Sequence, residues 1–341
     1  MHILLLFCLM VFLPAASLAA DSDNPWISTL YFENDLFVGS DSDYTNGIKY
    51  SIISPDLSPT AKRRKTAEIP RKALDFVQSL PLIRNSAEET DHTLELAIGQ
   101  NIYTPRDISR FDLIRDDRPY AGYLYVSSSF HRRSDLGQLQ SQMDTLEVQF
   151  GMVGPSSLAE DAQKFVHQVR GFQRPNGWDH QINDEPGVNL IFERKWLFHP
   201  DHDGQFGADA ILHAGAALGN VMTYANTGFE VRGGWNVPRS FGVSLIRPAG
   251  STWNNDDSGL SLYLFGAVNA KAVALDIFLD GNNFRDSHSV KKEPLVADFS
   301  TGITMSYEKL TVSLAQNIRT REFRQQQKHH SFASLVFSYA F

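Results

Sequence analysis

The chain has 341 residues, a formal net charge of −8, 21% charged residues and a single cysteine. An acidic balance excludes nucleic acid as the natural partner, which asks for a basic surface. A negative mean hydropathy, with no run of ~18 consecutive apolar residues after the N-terminal segment, excludes a helical membrane protein. It does not exclude a transmembrane barrel, whose strands alternate lipid-facing and lumen-facing residues and so keep the average low.

In chain order, the first element is an apolar run, HILLLFCLMVFLP at residues 2–14, followed by Ala15, Ala16, Ser17, Ala19 and Ala20 before Asp21. A hydrophobic region ending in small residues reads as a signal peptide over 1–20, with the mature domain over 21–341. The run is too short to span a bilayer as a helix. Only His2 precedes it as a basic group, so a buried N-terminal helix is the alternative. Cys8 lies inside this segment after Phe7, not after the small residue a lipoprotein cleavage needs. The rest of the chain has no cysteine, hence no disulfide, thiolate metal site or cysteine nucleophile.

Period-two alternation and turn residues then predict strands at 26–33, 45–53, 93–101, 120–131, 143–152, 187–197, 205–219, 226–236, 259–280, 294–307, 309–319 and 331–341. The stretch 259–280 is read as one long strand, because no Gly or Pro turn pair interrupts it near Asn269. The last strand, SFASLVFSYAF, places Leu335, Phe337, Tyr339 and Phe341 on one face and ends on an aromatic residue. That pattern is similar to the C-terminal signal of bacterial outer-membrane barrels, with the barrel-assembly machinery as the partner during insertion. The expected fold is therefore all-β: a single 12-stranded antiparallel transmembrane β-barrel with a short helix in an extracellular loop.

With both chain ends periplasmic, the outward connections are 34–44, 102–119, 153–186, 220–225, 281–293 and 320–330. Two inward ones are long: 54–92, with Lys62-Arg63-Arg64-Lys65 and a short helix expected around 71–79, and 237–258. The first outward turn and its flanks, FENDLFVGSDSDYTNG at 32–47, gather oxygen donors that suit a hard cation such as Ca²⁺, although the spacing is not that of an EF-hand and a solvated polar hairpin reads equally well. In the third, 156–172 carries helix signals: Ser156 or Ser157 as cap, with Glu160 three residues after Ser157. Leu158, Ala162, Phe165, Val166 and Val169 form one apolar face, Gly171 terminates the helix, and Gln163 and His167 stack one turn apart on a neighbouring face.

The segments ENDLF and DYTNGIKYS (33–51), DRPYAGYLY (117–125), GMVGPSS and AQKFVHQVRGF (151–172), GWDHQINDEPG (177–187), FLDGNNF (278–284) and the terminal strand together resemble the lipid A 3′-O-deacylase family of outer-membrane enzymes, in order and over nearly the whole mature chain. The resemblance implies a Ca²⁺-dependent hydrolase that releases the 3′-acyloxyacyl group of lipid A, with lipopolysaccharide as substrate and a site between the barrel wall and a loop helix. It implies Asn34, Asp35, Thr45 and Gln173 as metal-site residues, with Asp35 also catalytic, and Gln163, for substrate binding, and His167, catalytic, as the helix pair. A family glutamate six residues after the histidine corresponds to Gln173, a loss of one carboxylate for which Glu185 is a candidate substitute. The family's basic pair has no direct match. Arg106, Arg110 and Arg118 are the cations suited to lipid A phosphates, or else ordinary rim salt bridges.

Ester hydrolysis needs an activated water and a stabilised oxyanion. His167 is the expected general base, with the metal polarising the carbonyl. A Ser-His-Asp triad using Ser40, Ser127 or Ser157 is the competing chemistry, but no G-x-S-x-G elbow occurs. A porin or adhesive barrel and an outer-membrane phospholipase are the other functional readings. Twelve strands leave a lumen that side chains can largely fill, which disfavours the porin.

Overall fold

The structure, a computed structural model, describes residues 25–35, 43–57, 90–137, 139–200, 205–242 and 259–341. The signal segment 1–20, the basic stretch 62–65, the helix expected at 71–79 and residues 36–42 of the first outward turn lie outside the described residues.

Twelve antiparallel strands form a closed barrel. They are β1 (Ile27–Asn34), β2 (Asp43–Ile53), β3 (Thr90–Thr104), β4 (Ala121–Gly137), β5 (Gln140–Val153), β6 (Glu185–Phe198), β7 (Phe206–Gly219), β8 (Met222–Trp235), β9 (Ser261–Asp276), β10 (Leu295–Tyr307), β11 (Leu310–Arg319) and β12 (His330–Ala340). Closure comes from β1 pairing with β12, extended by reciprocal backbone bonds between Trp26 and Phe341 (3.0 and 2.9 Å). No edge is left, as a bilayer requires. Both ends of the described chain thus sit at one end of the barrel, and the connections that carry its two described α-helices sit at the other.

Alternation decides which face each residue takes. In β3, Leu96 and Ile98 are exposed on the outside while Glu95 and Asn101 are buried inside. In β12 the Leu335, Phe337 and Tyr339 row faces out and His330, Phe332 and Ser334 face in. The lumen is crosslinked by charge. Lys49 pairs with Glu95 (2.9 Å), which also accepts from His131 Nε2 (3.0 Å). Arg319 pairs with Asp298 (2.6 Å), and Arg118 with Glu322 (3.0 Å). A lumenal cavity of about 110 Å³ remains among these groups, room for a few waters.

Two expectations shift. The outward connection expected at 220–225 shrinks to Asn220 and Val221, because β8 begins at Met222 and pairs with β9 from there. The long strand expected over 259–280 is one strand only to Asp276. A single-turn helix then follows, α2 (Ile277–Asp280), whose first turn is capped by Asp276 accepting from Phe278 N (3.0 Å). The other helix, α1 (Ala159–Arg170), lies in the third outward connection.

Candidate active site on the outer face of the wall

α1 packs against the outside of the barrel. Its approach is set by small residues on the wall: a Cβ on the outward-facing Gly122 would overlap Ser157 Oγ and Ala159 Cβ. Gln100 Nε2, on β3, donates to Ser157 O (2.7 Å) just before the helix. Below this contact a small apolar cluster of Ile102, Ile108, Tyr120, Ala159 and Trp178 seals the helix start to the wall. Gly177 lets the chain pass Tyr120, whose ring would lie 2.6 Å from an added Cβ.

The helix begins and ends differently from one another. Gly171 terminates it in a left-handed conformation (φ 68°), where a glycine is needed, and its N–H bonds His167 O. The expected serine cap does not form. Leu158 occupies the cap position with φ 59° and offers no side-chain bond. Ser156 instead donates through N and Oγ to the Asp184 carboxylate (2.7 and 2.8 Å), which closes the third connection on itself, and Glu160 is engaged by Lys164. Hydrogen bonds from Asn176 N to Ile108 O (2.9 Å) and from Asn176 Nδ2 to Ser109 O (3.0 Å) join the second and third connections.

Facing the wall are Ala159, Gln163 and His167, one turn apart along the helix. The apolar face read from the sequence divides: Ala162 packs on the wall cluster, while Leu158, Phe165, Val166 and Val169 point away from the barrel and are exposed. His167 is 2% exposed, and its Nδ1 lies 2.5 Å from the backbone oxygen of Gln173. A carbonyl only accepts, so Nδ1 carries the proton and Nε2 is the basic nitrogen of the neutral ring. Gln163 is 3% exposed, and its Oε1 accepts from Trp178 Nε1 (2.8 Å). An indole N–H is donor only, so this bond fixes which end of the amide is which. The Gln163 Nε2 donor is left buried without a hydrogen-bond partner. Trp178 was not singled out by sequence; the only signal was its place in GWDHQ, seven residues past Gly171.

Asn34, Asp35 and Thr45 sit where β1, β2 and β3 end, next to the wall that α1 covers. All three are buried, Asp35 fully. Thr45 occupies an irregularity in the β2–β3 register, between Tyr44 and Asn46, and its Oγ1 meets Thr104 Oγ1 (2.6 Å). Asp35 N bonds Thr45 O (3.4 Å), so the two residues share one turn. Among the described residues there is no group of three or more His, Cys, Asp or Glu side chains that could hold a metal. What the chain offers is an oxygen set with one fully buried carboxylate, a donor chemistry that fits a hard cation completed by backbone carbonyls and water.

The remaining expected residues are dispersed. The Gln173 side chain is exposed, and its contribution to the site is the main-chain carbonyl on His167. Glu185 does not stand in for a lost metal carboxylate. It accepts from Asn283 Nδ2 (2.7 Å), Asn283 N (3.0 Å), Asn282 Nδ2 (3.2 Å) and Asn220 Nδ2 (3.3 Å), and so clamps three outward connections. Arg106 and Arg110 are exposed on the second connection, Arg110 paired with Asp112. Arg118 does not join them. It is 1% exposed, bonded to Glu322, with its guanidinium over the Tyr103 and Phe323 rings, because Asp117 and Pro119 turn it into the barrel mouth.

Fold and site together define a transmembrane β-barrel of the bacterial outer membrane with a helix on its outer wall that buries a glutamine and a histidine. The family model for outer membrane protein LpxR matches residues 4–341, and the chain belongs to that family, the lipid A 3′-O-deacylase family that its ordered segments resemble. Its fold is similar to that of LpxR from Salmonella typhimurium, with a TM-score of 0.71 at 18% identity over 92% of this chain and 100% of that one. The β domain of the Bordetella autotransporter BrkA follows at a TM-score of 0.47, with 8% identity over 93% and 99% of the two chains. No curated protein matches the chain.

Proposed function

We propose that this barrel hydrolyses the 3′-acyloxyacyl ester of lipid A, with His167 as general base and lipopolysaccharide as substrate. The observation that carries the reading is the pair on the buried face of α1: a histidine whose tautomer is set by a main-chain carbonyl, one turn from an amide N–H₂ that is buried and unpartnered. A base oriented by a third group, with a donor beside it, is what acyl transfer to water needs.

In this reading Nε2 of His167 takes a proton from water as the water oxygen adds to the ester carbonyl. The negative charge that develops on the carbonyl oxygen meets the Gln163 Nε2 donor. Collapse breaks the bond to the sugar 3′ oxygen, which recovers the proton from His167, so a fatty acid and a free hydroxyl leave. Neutral imidazole suits both transfers near neutral pH. Asn34, Asp35 and Thr45 would hold Ca²⁺, which supplies Lewis-acid polarisation of the carbonyl when bound. Arg106, and Arg110 on release from Asp112, would meet the phosphates. Arg118, spent on Glu322, is not. The crosslinked lumen gives a porin no support.

The test is expression in a host with hexa-acylated lipid A and mass spectrometry of the extracted lipid. Loss of the 3′ group is expected, and a folded barrel that leaves lipid A unchanged with Ca²⁺ present refutes the proposal. His167→Ala is expected to cut the rate ~10²–10⁴-fold while the barrel still shows heat-modifiable migration.

A further inference from the structure

In water, an amphipathic helix turns its apolar stripe to the protein and its polar face to solvent. α1 does the reverse. Its polar pair lies against the wall, and Leu158, Phe165, Val166 and Val169 point outward, with Phe165 61% exposed. Past the terminating glycine, Phe172 adds a further exposed ring, with the Arg170 guanidinium 5.6 Å from its centroid. At about 100° per residue, Phe165 and Val169 lie ~160° and ~120° from Gln163 around the helix, and Val166 borders the buried face at ~60°.

This face is continuous with the lipid-facing wall. The helix starts over Gln100 and Gly122. Two residues below Gln100 on the same outward face of β3, about 7 Å along the strand, is Ile98, 51% exposed. Leu96 and, on β4, Val126 continue that apolar surface. A barrel of this class has acyl chains around such residues, and the polar side chain between Ile98 and the helix on this row, Gln100, is engaged by Ser157 O.

We infer that α1 is an interfacial helix whose outward face is immersed among the acyl chains of the membrane leaflet surrounding the loop-bearing end of the barrel. Lipid is the occupant because the patch extends a surface that lipid already covers. A cation stacked on an aromatic ring at the end of the helix suits the headgroup boundary, where long basic side chains reach polar groups from an apolar stem. One consequence rests on the proposed activity: the cleft between α1 and the wall opens sideways into the leaflet, so a lipid enters without leaving the bilayer.

The test does not depend on activity. In a Cys8→Ser background, which removes the only cysteine, Val166→Cys carries an environment-sensitive nitrobenzoxadiazole label. Val126→Cys serves as the wall reference and Asp286→Cys as the reference on an exposed outward loop. The full-length proteins are reconstituted into phosphatidylcholine vesicles with or without bromine on the acyl chains. The label at 166 is expected to be quenched as strongly as at 126, with none at 286. Quenching at 126 but not at 166 overturns the inference, and so does a 166–166 crosslink between two copies with no quenching, which assigns the face to self-association. Val169→Cys repeats the measurement if the first variant fails to fold. A parent protein that leaves lipid A unchanged, with normal quenching at 166, refutes the proposed activity and leaves the interfacial helix standing.

Discussion

Trp178→Phe tests one bond in the site. Phenylalanine keeps an aromatic ring in the cluster with Tyr120, Ile108, Ile102 and Ala159, is smaller than the indole, and removes the N–H that holds Gln163 Oε1 at 2.8 Å. One buried hydrogen bond of this kind contributes about 1–1.5 kcal/mol, and the orphaned Oε1 adds a desolvation cost of ~1–3 kcal/mol. The amide can relieve that cost by rotating its N–H₂ toward the wall cluster, and its donor is then withdrawn from the oxyanion. A loss of ~1–2 kcal/mol of transition-state stabilisation corresponds to a fall in kcat of roughly 5–30-fold. The assay is deacylation of purified lipid A in detergent micelles, with KM and the pH profile recorded beside kcat. KM is expected to hold, since the donor acts on developing charge, and the pH profile to keep its shape, since His167 and its carbonyl are untouched. Wild-type kcat in a folded Trp178→Phe protein refutes the amide lock. So does a loss as deep as that of His167→Ala, which would mean that the helix itself had moved.

Gly122→Val is expected to abolish activity while leaving a heat-modifiable barrel, because the added side chain overlaps Ser157 and Ala159 and lifts α1 from the wall; retained activity shows that the helix seat is not needed. Gln173→Ala is expected to stay within a few-fold of the parent in kcat, since only the main-chain carbonyl reaches His167; a loss above ~10²-fold, the range of a missing base or ligand, restores its side chain to the site. For Glu322, burial favours the neutral acid, but the Arg118 and Arg319 charges outweigh it and hold the carboxyl below its ordinary range. A depressed carboxylate contributes stability that is fully present above the ordinary carboxylate pKa and drains away as pH falls through the depressed value. Glu322→Gln should therefore cost at pH 7 the ~3–5 kcal/mol of stability typical of breaking a buried pair, read as a lower thermal unfolding midpoint. The gap between variant and parent should narrow on acidification, and a gap that is constant with pH counts against the ion pair.

The barrel was legible because period-two alternation is a property of each strand alone. Leu96 and Ile98 against Glu95 and Asn101 state the two faces of β3 without any knowledge of what lies beyond them. α1 was legible as a helix for the same local reason, and Gly171 marked its end. Its orientation was not, because an apolar stripe says only that it seeks an apolar medium, not whether protein or lipid supplies it. The cap failed on geometry: Ser156 donates to Asp184, 28 residues on, instead of accepting from an N–H of the helix start. Arg118 is likewise one of three similar arginines in sequence, and only Glu322, far along the chain, separates it from the others. Gln173 illustrates a further limit. A role carried by a backbone oxygen leaves no trace in the side chain, so a Glu-to-Gln difference at that position is no evidence about that role.

The knitting of the second and third connections has an engineering consequence. Asn176 ties them together, Asp184 closes the longer one, and α1 is seated on the wall by Gln100, Ile102 and Gly122. The pair is also anchored to later connections, through Arg118 on Glu322, His288 Nε2 on Asp117 O (2.7 Å) and Asn183 on Asn282. Moving α1 into a foreign twelve-stranded barrel should therefore demand not a loop but β4 and β5 with it, and partners for Arg118, Asp117 and Asn183 on the recipient's own rim.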